Sequence, residues 1–107
     1  MNELVKKLSE GSHPVELALR PDKSCQVLTQ CLERGYLHIK FTGTSGGTEL
    51  GVTIDHDTIQ KALTDINDGK STIHVSGTLT LDYVPVRCLA EIDLNTYGGT
   101  GHLEGLQ

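Results

Sequence analysis

Aromatic side chains are nearly absent from this 107-residue chain, which has one Phe, three Tyr and no Trp. Its core must therefore be aliphatic. Basic excess is also missing: 9 Lys and Arg stand against 14 Asp and Glu, a formal charge of −5. Nucleic acids and anionic membranes reward clustered cations, so neither is an expected partner. The three cysteines, Cys25, Cys31 and Cys88, are odd in number and include no C-x-x-C. That spacing excludes a disulfide framework and a zinc knuckle, and points to reduced thiols in a cytoplasmic protein. No run approaches the ~20 apolar residues of a membrane span. Met1–Leu8 carries Lys6 and Lys7 with no apolar run behind them, so no leader peptide is expected. No cofactor or metal is expected either: P-loop, H-x-x-x-H and EF-hand patterns are all lacking.

What is present is alternation. From Thr72 to Leu94 two long strands are predicted by period two. Ile73, Val75, Leu79 and Leu81 share one phase of the first; Val86, Cys88, Ala90 and Ile92 share one phase of the second. With Val84-Pro85 as the turn, Tyr83 faces Val86, Leu81 faces Cys88 and Val75 faces Leu94. Asp82 then sits opposite Arg87, an exposed pair worth ~0.2–1 kcal/mol. A register two residues away keeps the same phase, and Val-Pro is a poor two-residue loop.

Before this hairpin, Leu4, Val5 and Leu8 predict a short N-terminal helix within residues 1–12, able to dock loosely. Val15, Leu17 and Leu19 predict a strand. Pro21 and Asp22 are expected to open a helix with Cys25, Leu28, Cys31 and Leu32 on its apolar face, closed by Gly35. Leu37, Ile39 and Phe41, then Leu50, Val52 and Ile54, make a second hairpin around a Gly-rich loop. Ile59, Ala62, Leu63 and Ile66 give the next helix, begun at Asp55 or Asp57 and ended at Gly69. The Gly-rich tail, 97–107, either frays or adds a short edge strand. A shift of 34 residues lays Ile39–Thr44 on Ile73–Thr78 and suggests a repeated helix–strand–strand unit. The expected fold is one α+β domain over residues 1–107, in the order αβαββαββ. It is a single-layer, mainly antiparallel sheet of about five strands and two hairpins, with helices on one face.

The polar sheet face is the surface that could carry function. It presents His38, Lys40 and Thr42 from one strand and His74, Ser76 and Thr78 from another, with Arg87 beside them. Two histidines, a lysine and hydroxyls are groups that bind a small acid or metal, or move protons. The competing account is that Ser and Thr simply suit a half-exposed strand. Asp55-His56-Asp57 reads as helix capping. The loops 44–48 and 97–101 read as turns, since no helix follows the glycines as a phosphate or dinucleotide site requires. Cys88 lies in the apolar phase and is expected to be inert; Cys25 has the better position for a thiolate. No residue is assigned a catalytic role. The function expected is that of a non-enzymatic module, binding a protein partner or a second copy through its polar sheet face or an edge. The alternative is a binder of a small molecule, or an enzyme, with His38, Lys40 and His74 in one pocket.

Overall fold

Six strands pair in sequence order and the last returns to the first, closing an antiparallel barrel. The elements of the computed structural model are α1 (Glu3–Ser9), β1 (His13–Leu17), α2 (Cys25–Arg34), β2 (Tyr36–Phe41) and β3 (Thr48–Ile54). They continue with α3 (His56–Asn67), β4 (Thr72–Leu81), β5 (Val84–Asp93) and β6 (Gly98–Gly105). The structure describes residues 3–19, 22–44, 46–81 and 83–106, without the side chain of Leu4. The expectations for Leu4 packing, for Pro21 at a helix start and for an Asp82–Arg87 pair lie outside those residues.

Closure overturns the expected single-layer sheet of about five strands with helices on one face. The residues read as a fraying tail form β6, which pairs with β5 from Val86↔Gly105 to Asp93↔Gly98. Its other edge pairs with β1 from His13↔Gly101 to Glu16↔Gly98. Glycine makes this strand possible rather than breaking it. A methyl group on Gly99 would run into the carbonyl oxygen of Glu91, and one on Gly101 would meet that of Leu89. The same holds where β3 meets β4: a methyl on Gly77 would strike the Thr53 carbonyl and Val52. Glycine within a strand marks close backbone approach, and here it lets a small barrel shut.

The long hairpin keeps the expected phase, but its turn falls two residues earlier, so each β4 residue meets a β5 partner four residues earlier than expected. Leu81 pairs with Val84, Leu79 with Val86 and Val75 with Ala90. Tyr83 occupies the turn at φ 67° and is 98% exposed. Val84 and Pro85 belong to β5, not to the turn. Pro85 has no N–H to give, but it sits at the end of the β5–β6 ladder, where its carbonyl accepts from the Leu106 N–H at 3.1 Å.

The core is aliphatic apart from Phe41, Cys31 and Cys88. Leu37, Ile39, Phe41, Val52, Ile73, Val86, Ile92 and Leu103 are almost completely buried, with Val5, Leu8, Leu28 and Leu32 from the helices. The first helix is therefore docked, and it packs against β6. Ser24, not Pro21-Asp22, caps α2, accepting from the Val27 N–H at 3.2 Å. Gly35 ends that helix at φ 77°, donating to the Cys31 and Leu32 carbonyls. Cys25 is exposed rather than part of the buried face. The order α2–β2–β3 followed by α3–β4–β5 matches the helix–strand–strand repetition suggested by the sequence.

Candidate functional site

One seam of the barrel is barely sewn. The β3–β4 ladder consists of Thr53↔Thr78 and Ile54↔Gly77, whereas β4 and β5 are paired from Thr72↔Asp93 to Leu81↔Val84. Parity shows what the short ladder leaves over. Ile54 donates to Gly35, so the even residues of β3 face β2 and Gly51 and Thr53 face β4. Leu94 donates to Ser71, so the odd residues of β4 face β5, while Ser76, Thr78 and Thr80 face β3. Gly51 and Thr80 are thus the next pair in line, outside the ladder, with main-chain groups turned toward the opening.

A groove of about 600 Å³ lies over this opening, lined by Tyr36, Gly51, Thr53, Thr78, Leu79, Thr80, Pro85 and Leu106. Two outward-facing rows build it. Tyr36, Thr53 and Thr78 are directly opposite one another across β2, β3 and β4. Gly51 supplies the hollow of the next row, and Pro85, opposite Thr80, supplies its far wall. The Tyr36 ring leans over Gly51, so that a methyl there would hit its phenol oxygen. His38 braces the ring edge-on, with centroids 5.1 Å apart. Every lining side chain is uncharged. Tyr36 (45% exposed) and Tyr83 (98%) are the exposed large hydrophobic residues among those described. Tyr36 is in this groove, and Tyr83 is at the tip of the hairpin whose β4 and β5 residues line it.

A polar junction borders the groove. Asp55 precedes α3 with its carboxylate turned away from the helix N-terminus: it accepts from Arg87 Nη1 and, at 3.0 Å, from Ser76 Oγ. Thr58 Oγ1 joins at 2.9 Å from Ser76 Oγ, and the Asp55 N–H donates to the Ser76 carbonyl. Both charged side chains are about one-third exposed, so the pair fastens α3 to β4 and β5 more than it creates reactivity. Asp55 acts here as a tie rather than as a side-chain cap.

Of the residues singled out in the sequence, the structure gathers some and separates others. Thr78 lines the groove, His38 supports its aromatic wall, and Ser76 and Arg87 meet on Asp55. Lys40 stands opposite Glu49, farther along the same strands. Thr42 hydrogen-bonds the Pro14 carbonyl through its N–H at 3.1 Å. His74 is elsewhere: the row of His38 reaches β4 near Thr80, so His74 is six residues, about 20 Å, along the strand. It pairs with Glu91, Nε2 to Oε2 at 3.2 Å, both largely exposed. That pair borders a smaller hollow of about 230 Å³ with Ser12, Thr100 and His102. His38, Lys40 and His74 do not share a pocket. No group of three or more metal-ligating side chains occurs among the described residues.

Burial pushes the Cys88 thiol up to about 12, as its position in the apolar phase anticipates. Tyr97 is also raised, by desolvation first and then by the nearby Cys25 and Asp22.

Sequence reasoning missed Tyr36, Gly51, Pro85 and Leu106. The readable signal was Gly51, an interior glycine in a strand otherwise in good phase. No protein-family model matches the chain, and no curated protein matches it.

Proposed function

We propose that this chain is a non-catalytic protein-interaction module whose working surface is the groove over the β3–β4 seam. The observation that carries the reading is the unfinished ladder: the strands stop pairing at Thr53↔Thr78, and a neutral hollow opens over the main chain beyond. Strand edges left without partners recruit other chains unless they are covered. The two exposed tyrosines support the same surface, since Tyr is enriched among residues that dominate binding energy. Three free thiols accord with work in a reducing compartment such as the cytoplasm. No helix among the described residues is long and apolar enough to cross a membrane.

Eight residues line the groove, against about 20–30 a side in a standard stable interface. A short segment of a partner protein therefore suits it better than a second globular copy. A photo-crosslinking residue at Tyr36 or Tyr83, in the full chain added to lysate of its source, tests the reading. Expected is a crosslink competed by unlabelled wild-type chain but not by the Tyr36→Ala variant. Equal competition by both, or equal crosslinking from Thr100 on the far surface, would overturn it.

A further inference from the structure

We infer that the groove takes its partner by strand addition, pairing an extended, uncharged segment with β4 at Thr80; this rests on the reading of the groove as an interaction site. Thr80 offers both an N–H and a C=O to the seam, because the odd residues on either side of it serve β5. An extended main chain answers such a pair with two hydrogen bonds. An antiparallel segment puts the residue opposite Thr80 on the outer face, beside the Tyr36 ring. Its two neighbours then point inward, opposite Leu79 and Leu81.

Those inward positions have something to cover. Ile73, Val75 and Val86 share their phase and are buried, whereas Leu79, Leu81 and Val84 are only partly buried. The apolar face of the hairpin runs past the point where the host barrel can shield it. The occupant's pattern follows: apolar, then small polar or aromatic, then apolar. Charge complementarity points the same way. The lining is neutral, and the cation bordering it, Arg87, is already held by Asp55. A charged segment would find no counter-charge in the groove, despite the overall −5. The few residues that fit bury far less than the ~800 Å² per partner of a stable dimer, so binding by this segment is transient.

The test uses the ¹⁵N-labelled full chain and two synthetic peptides, acetyl-Val-Thr-Val-Thr-Val-amide and acetyl-Lys-Thr-Lys-Thr-Lys-amide. Expected are shifts at Tyr36, Gly51 and Thr78–Leu81 with the Val peptide, slowed exchange of the Thr80 amide, and at least tenfold weaker binding of the Lys peptide. Thr80→Pro removes the seam-facing donor and leaves the β5-facing groups of Leu79 and Leu81 in place, and is expected to abolish the shifts while the rest of the spectrum stays in place. Equal binding of both peptides, shifts confined to another surface, or full binding by a folded Thr80→Pro variant would overturn strand addition. Should that variant fail to fold, unchanged Thr80 exchange in the peptide-bound wild type overturns it instead. A Val peptide that gives no shift, while the Tyr36 crosslink is still competed selectively, defeats strand addition alone. Loss of both results defeats the interaction reading as well.

Discussion

The ring of Tyr36 lies across Gly51, its diagonal neighbour on the adjoining strand, and occupies the space a side chain there would fill. An aromatic covering a strand glycine in this way supports the sheet. It also leaves one wall of the groove movable. Replacing Gly51 by Val is expected to push the ring out and fill the hollow, abolishing the selective crosslink. Urea unfolding should change by less than about 1 kcal/mol, because Val suits a half-buried strand position and offsets the lost ring packing. A crosslink surviving in Gly51→Val would contradict this.

Barrel closure depends on glycines that have backbone on their open side. Gly77→Ala must part β3 from β4, since the added methyl meets the Thr53 carbonyl rather than a flexible side chain. Gly99→Ala must do the same to β5 and β6 against Glu91. Each is expected to cost about 1–3 kcal/mol, the usual range for overpacking. Gly46→Ala, in a loop at φ 75° with no neighbours within 4 Å, separates backbone strain from crowding. Urea midpoints of the three variants give the comparison.

Asp55 and Arg87 are 32 residues apart and both about one-third exposed. A double-mutant cycle with Asp55→Ala and Arg87→Ala should give a coupling below about 1 kcal/mol that shrinks with added salt. A larger, salt-insensitive coupling would show that the pair holds the seam together rather than trimming its edge.

Cys88 titrates near 12 when folded, against an ordinary value of 9.0. A group whose folded pKa is raised gives stability that is present below the unfolded pKa and lost above it. Stability should therefore fall between about pH 9 and 12, by up to about 1.4 kcal/mol per unit from this thiol, with Tyr97 adding in the same direction. Cys88→Ala should flatten that slope while lowering stability at neutral pH. Alkylation at pH 8 should reach exposed Cys25 first, and Cys88 only on unfolding.

Much of the barrel is legible in the alternation of residues 36–54 and 72–94, because a strand with one packed face has to alternate. The four-residue slide of the long hairpin's register is not, since Leu81 opposite Val84 and Leu81 opposite Cys88 satisfy the same phase. Pro85 drew the expected turn two residues too far along the chain. It is accommodated as a strand residue only because the β5–β6 ladder ends there, which is a fact about β6. Closure itself was hidden in Gly98, Gly99 and Gly101. Without context these residues weaken a strand, yet between β5 and β1 no other residue fits as well. Thr78, Ser76 and Arg87 were readable as surface groups from their phase. The groove they border was not, because it arises from where a ladder stops.

Amide hydrogen exchange of the free chain, read residue by residue, tests the central claim most directly. The unfinished seam predicts slow exchange at Thr53 and Thr78, which are paired across it, and exchange at least a hundredfold faster at Gly51 and Thr80. Comparable protection at all four positions would mean that β3 and β4 are paired throughout, and that the groove is not a place for a partner's strand.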